Sequence, residues 1–185
     1  PFTDHDGFKF WDEYHKAVFK MISEQEASIR SSDLLSTEQI EANLANQELT
    51  RANFQSLFDV EQHNEIVSTG KRRLSHKATL NALFILSYRD EAILSQPFQL
   101  LTCLMNIDEN FSRWRYRHAL MAQRMLGVKV GTGGSSGHKY LKSTVKQNKV
   151  FTDITNLSTF LIPSSKLPSL PYSLESSMNF KYVLT

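Results

Sequence analysis

Cysteine occurs once, at Cys103, and a single thiol excludes both an intrachain disulfide framework and a zinc site built from cysteines. One cysteine also suits a reducing cytosol, so a cytoplasmic location is the expectation. Charge of one sign is equally scarce: 21 Lys and Arg stand against 19 Asp and Glu, a formal +2. That balance gives no bulk pull toward nucleic acid or an anionic membrane. No apolar run approaches the roughly 20 residues of a membrane helix, and the opening Pro1-Phe2-Thr3-Asp4-His5-Asp6 lacks the pattern of a signal peptide. Neither nucleic acid nor membrane is therefore expected as a partner. Glycine is rare as well, seven in 185 residues, and four of the seven crowd into one heptapeptide, Gly131 to Gly137.

What is present is helical periodicity. Trp11, Tyr14, Val18, Met21 and Ile22 recur at steps of three and four, which predicts an amphipathic helix from Phe8 to about Arg30. Ser36 with Gln39 three places on makes a capping box for a second helix running toward Phe58, and a short helical piece should end at Gly70. Lys71-Arg72-Arg73 reads as a solvated turn. Ser75 is placed to cap a helix carrying Leu80, Leu83, Phe84 and Tyr88. From Pro97 nothing breaks the pattern until Gly127, so one helix of about 31 residues, ~46 Å long, is predicted between them. Val150, Ile154, Leu157 and Leu161 predict a further helix from Lys149 to Leu161, stopped by Pro163. Residues 163–185 hold three of the five prolines and six serines and read as an extended or partly ordered arm. No strand pattern is evident, and the fold class is all-α.

His118 sits on one face of the long helix with Phe111, Trp114, Met121 and Met125, at offsets of −7, −4, +3 and +7. Two readings stay open on spacing alone: a core histidine satisfied by hydrogen bonds, or a haem ligand walled by aromatic and Met side chains. The run Arg113-Trp114-Arg115-Tyr116-Arg117 separates on a helix into arginines flanking that stripe. They read as a solvated rim or as partners for carboxylates such as haem propionates. The glycine-rich heptapeptide fails the Walker pattern, because His138 intervenes before Lys139, and fails the dinucleotide fingerprint for want of a preceding strand. Its backbone amides could converge on a carboxylate, with Thr132 and two serines adding hydroxyls; otherwise it is a hinge.

These residues carry a family resemblance. Arg113 to His118, Arg124-Met125-Leu126-Gly127, Gly131 to Gly137, and Asn156-Leu157-Ser158-Thr159-Phe160-Leu161-Ile162-Pro163 together closely resemble the tryptophan 2,3-dioxygenases. Phe8-Lys9-Phe10-Trp11, Arg72-Arg73-Leu74-Ser75, Tyr88-Arg89-Asp90-Glu91 and Gln96 to Leu101 agree in order. Indoleamine 2,3-dioxygenase is less similar around the Gly131–Gly134 loop.

The resemblance implies a helical haem-dioxygenase fold and a homotetramer that uses O2 to open the indole ring of L-tryptophan, giving N-formylkynurenine. By the same resemblance His118 matches the axial ligand of a haem b iron. Thr132, with Gly131 and Gly133, matches the residues at the amino-acid end of the substrate. Trp114, Met121, Met125, Leu126 and Tyr140 fall in the haem pocket. His138 stands where the family usually has tyrosine. Only the C-terminal half of the family's chain is covered. The expectation is therefore that residues 1–162 are the helical haem-binding portion of a larger subunit and 163–185 its arm. A distal histidine, a carboxylate-binding arginine and indole-sandwiching aromatics would come from an N-terminal half present as a separate chain, since the sequence opens at Pro1. A non-catalytic helical haem-binding or interaction module is the alternative.

Overall fold

The computed structural model describes residues 2–126 and 149–179, together with the backbone of Leu126 but not its side chain. Among the described residues there are seven α-helices and one two-stranded sheet, an all-α architecture. The chain divides into two compact units, Pro1–Ser95 joined by Thr159–Thr185, and Gln96–Ser158.

The first unit opens with a hairpin missed by helical periodicity: β1 (Asp4–His5) pairs antiparallel with β2 (Phe8–Lys9). The turn is Asp6-Gly7, with φ +48° and +83°, the pair of left-handed residues that a two-residue hairpin loop demands. Helix α1 (Phe10–Arg30) follows directly and buries Phe10, Tyr14, Val18 and Ile22. Ser36 and Gln39 form the expected capping box on α2 (Thr37–Phe58), with the Ser36 amide donating to Gln39 Oε1 at 2.9 Å. Asp59 closes α2 and at once caps α3 (Val60–Ser68), its carboxylate accepting from the Gln62 amide. Gly70, at φ +72°, takes the left-handed position past that helix. Ser75 caps α4 (His76–Ser87) as expected.

Two expectations change here. Residues 163–179 are not an extended arm: α7 (Tyr172–Met178) forms after Pro171, and Leu174 and Met178 are fully buried. Serine-rich composition concealed an apolar pair at i and i+4, which is one face of a short helix. Nor is Lys71-Arg72-Arg73 uniformly solvated. The Arg72 guanidinium donates to His63 Nδ1 at 3.2 Å and lies 5.8 Å from the Phe160 ring centre. His63 is fully buried, and its Nε2 reaches the Leu74 carbonyl at 3.0 Å. A donor-only guanidinium on one nitrogen and an acceptor-only carbonyl on the other fix the neutral Nε2–H tautomer.

The core of this unit is an aromatic cluster of Phe10, Trp11, Phe84 and Tyr88 around which the returning segment closes. Tyr14, wholly buried, donates its hydroxyl to the Phe160 carbonyl, and Tyr88 donates to the Pro168 carbonyl at 2.6 Å. The inward residues of α1, Phe10, Tyr14, Val18 and Ile22, are thus all buried.

In the second unit α5 (Ser95–Leu126) has the predicted bounds to within two residues. The expected helix 149–161 is shorter: α6 covers only Thr152–Asn156, and a 3₁₀ turn takes Leu157–Phe160. The cause is a tertiary contact: Asp108 on α5 captures the amides of Val150 and Phe151, 42 and 43 residues further on, and so fixes where α6 can start.

Burial raises the ionisation of both phenols well above the ordinary tyrosine value; nearby Tyr14 and Glu91 add to the effect at Tyr88, while hydrogen bonds only partly oppose it at Tyr14. A raised folded pKa gives stability that is complete below the unfolded value near 10 and is lost as pH rises above it, because the unfolded chain then releases protons the folded one keeps. Urea unfolding should therefore weaken between pH 9 and 11 by up to ~1.4 kcal/mol per pH unit for each tyrosine. Tyr14→Phe combined with Tyr88→Phe should flatten that slope; an unchanged slope would contradict the assignment.

Candidate functional site

The stripe predicted on α5 is real, but it faces outward. Phe111, Trp114, Met121 and Met125 are 54%, 60%, 51% and 76% exposed, and His118 between them is half-buried. An outward helical face this rich in large apolar side chains is the unusual feature, since scattered exposure would need no explanation. An adjoining flank of the same helix, roughly a quarter-turn round from His118, supplies the buried residues Asp108 and Ala119. His118 is accordingly no core histidine of the described unit.

Trp114 lies one turn before His118, and the two rings stack with centroids 5.5 Å apart and planes only 13° from parallel. The indole face limits rotation of the imidazole, as i, i+4 neighbours on a helix can. Among the described residues no hydrogen bond engages the His118 ring. Its nitrogens thus differ from those of His63, which are both used, and of His76, whose Nε2 meets the Leu57 carbonyl at 2.8 Å.

The arginine rim is partly occupied. Arg113 pairs with Glu109 one turn back, and both are exposed. Arg115 is half-buried and its guanidinium carbon is 6.0 Å from the Phe111 ring centre, whereas Arg117 is exposed. Gly131, Thr132, Gly133, Tyr140 and His138 lie outside the described residues, as does the Leu126 side chain.

Asp108 was not singled out by sequence reasoning. Buried on α5, it accepts from Val150 N at 2.9 Å with one oxygen and from Phe151 N with the other. Both amides belong to the turn just before α6, so one carboxylate fastens two backbone donors that a short helix start would otherwise leave unpaired. The available signal was an acid lying ten residues before His118, off the apolar stripe. Beside this clamp Ile107, Phe111, Arg115, Val150 and Phe151 enclose an open cleft of about 330 Å³.

No described helix is long and apolar enough to cross a membrane.

The family model for tryptophan 2,3-dioxygenase matches residues 1–161. A tryptophan 2,3-dioxygenase of Bdellovibrio bacteriovorus is 45% identical over 98% of this chain and 51% of its own length. That of Alteromonas mediterranea is 44% identical over 97% and 50%. Tryptophan 2,3-dioxygenase A of Danio rerio is 47% identical over 92% and 42%. The chain thus spans about half the length of the curated relatives it matches.

Hydrogen bonds to a charged group are worth about 1.5–3 kcal/mol each, and removing the acceptor strands both amides. In Asp108→Ala the Val150 and Phe151 amides should exchange with solvent roughly ten- to a hundredfold faster by hydrogen-exchange NMR. Unaltered exchange at both would show that the carboxylate does not hold them.

Proposed function

This chain belongs to the tryptophan 2,3-dioxygenase family, and we propose that it is the haem-bearing part of an enzyme that cleaves the indole C2–C3 bond of L-tryptophan with O2. The product is N-formylkynurenine, in the first step of tryptophan catabolism by the kynurenine pathway. The reading requires the N-terminal half of the family's length, in a cytoplasmic homotetramer of complete subunits.

The observation that carries it is the half-buried His118 ring, stacked on Trp114 and without a hydrogen bond among the described residues, in the middle of an outward apolar stripe. An axial ligand needs a free imidazole lone pair, a fixed ring orientation and an apolar surface for the macrocycle. All three are met on one helical face, so the residues present fit haem b. His118 would hold the iron, and Trp114, Met121 and Met125, with Leu126 and Tyr140 by the family resemblance, would line the pocket. Arg117, exposed on the rim and in no ion pair among the described residues, would meet a haem carboxylate, Arg113 being engaged by Glu109.

Haem, when bound, supplies the iron at which O2 is activated toward the electron-rich indole double bond. The chain's own residues orient rather than exchange protons. Thr132, flanked by Gly131 and Gly133, addresses the ammonium and carboxylate of the substrate through its hydroxyl and amide. Pinning that end sets the indole against the oxygen side, where orientation lowers the barrier without any acid or base. The outward stripe must be covered for water to be excluded, and the absent half provides the cover.

His118→Ala in the assembled enzyme should abolish stoichiometric haem, read as loss of the Soret band; full haem with an unchanged spectrum overturns the assignment. Thr132→Ala should lower kcat/KM for tryptophan roughly ten- to a hundredfold, the worth of one hydrogen bond to a charged group. Unchanged kinetics would remove Thr132 from the substrate site.

A further inference from the structure

The first unit holds a group of basic side chains that the proposed reaction leaves unused. His63 on α3 is fully buried, Arg72 comes from the turn that follows α3, and His76 opens α4. The rings of His63 and His76 meet nearly edge to face, with centroids 5.1 Å apart and planes at 73°. Arg72 donates to His63 Nδ1 at 3.2 Å, and its guanidinium carbon lies 5.8 Å from the Phe160 ring centre. Three basic groups are thus joined, and among the described residues none of them is in an ion pair.

Facing His63 are Arg72 from the turn and His76 from α4, together with the Leu74 carbonyl and, behind Arg72, the ring of Phe160. Facing His76 across an open cleft of about 580 Å³ are Asp12, His15 and Lys16 of α1, with Lys16 held by Glu13. Asp12 is exposed, so water and salt screen its charge from the buried ring.

Both nitrogens of His63 are committed to the neutral ring. Nδ1 has to offer a lone pair, because a guanidinium only donates, and Nε2 has to carry the proton, because the Leu74 carbonyl only accepts. A second proton can enter only at Nδ1. There it removes the bond from Arg72 and sets an imidazolium against a guanidinium at hydrogen-bond distance, in a site where little solvent spreads the charge. His76 gives no relief, being itself a base. More than one ring is at stake, since Phe160, over which Arg72 lies, is the residue whose carbonyl accepts from the buried Tyr14 hydroxyl.

We infer that His63 and Arg72 form an acid-released latch. Shut while His63 is neutral, it opens when Nδ1 takes up a proton, freeing the turn at residues 71–74 and withdrawing Arg72 from Phe160. The unlatched chain takes up that proton in the ordinary imidazole range, about 6.5, whereas the shut latch has no place for it. The contribution of the latch to stability is therefore complete above that range and is lost as pH falls below it. Neither the haem nor the substrate assignment enters this inference.

The test is nitrogen NMR of the histidine rings together with urea unfolding of the full chain, in the form in which it is purified, between about pH 8 and pH 5. At the upper end His63 should carry its proton on Nε2 alone; a ring protonated at Nδ1, or charged already, overturns the proposal. Below about pH 6.5 the folded-to-unfolded ratio should fall by up to roughly tenfold per pH unit on account of this one proton. His63→Gln, an amide that does not titrate, should remove that part of the slope whatever it does to stability at neutral pH. Arg72→Gln keeps the histidine: its amide can turn an oxygen toward a protonated Nδ1, so the slope should shrink by a similar amount. A slope unchanged in either folded variant overturns the latch. Hydrogen exchange in the unmodified chain locates the opening. After correction for intrinsic rates, amides of residues 71–74 and of the first turn of α4 should exchange roughly tenfold faster at about pH 5.5 than at neutrality, while the Gln39 amide in the α2 capping box keeps its protection. An equal rise at Gln39 would show general loosening instead and would overturn the proposal.

Discussion

The hydrogen bond from the buried Tyr14 hydroxyl to the Phe160 carbonyl joins positions 146 residues apart, and the first unit cannot close without it or its neighbours. Helix α1 packs against α2 and against the returning segment, where Phe160 and Ile162 are buried; Leu174 and Met178 of that segment are buried as well. Tyr88 to Pro168 and Asn179 to Glu91 fasten the same returning segment. The stretch Gln96–Ser158 is therefore an excursion whose ends are tied by the unit it leaves. Closing so long a loop costs entropy that grows only slowly with length, so the large apolar surface buried at its base can meet it.

Within that excursion the constraint is polar. The buried Asp108 carboxylate satisfies two backbone amides at once, and those amides open the turn that begins α6. A neutral partner would leave one donor unpaired, and a longer acid would carry the oxygens out of line. The same geometry explains why the apolar spacing of Val150, Ile154, Leu157 and Leu161 yields a single turn of α-helix and a 3₁₀ turn rather than a helix of 13 residues. Tertiary capture of the backbone overrode a correct local period.

Legibility in the sequence followed the range of the interactions. The capping box at Ser36, the cap at Ser75 and the limits of α5 at Pro97 and Gly127 depend on residues within one turn, and they were readable. The Asp6-Gly7 hairpin was equally local; its strands, two residues each, are too short to show alternation, and only the turn dipeptide announces them. The Arg72–His63–Leu74 arrangement was not readable, because a basic triplet after a glycine has the composition of a solvated turn whether or not one arginine folds inward. The same holds for the serine-rich tail, where Leu174 and Met178 are buried on a short helix that packs near Ala92–Leu94, about 80 residues before it in the chain. At the site, spacing identified the stripe around His118 but not its direction. Exposure of its neighbours shows only that His118 is not packed in the core of the described unit.

An exposed stripe is costly to keep in water, and its persistence has to be explained by what covers it. Burying apolar area stabilises by about 25 cal/mol per Å², so several large side chains left open on one helix represent a substantial driving force toward association. Along that face His118, with no hydrogen bond among the described residues, is flanked by the exposed Arg113, Arg117 and Arg124, so whatever covers the stripe there has to meet positive charge as well as apolar area.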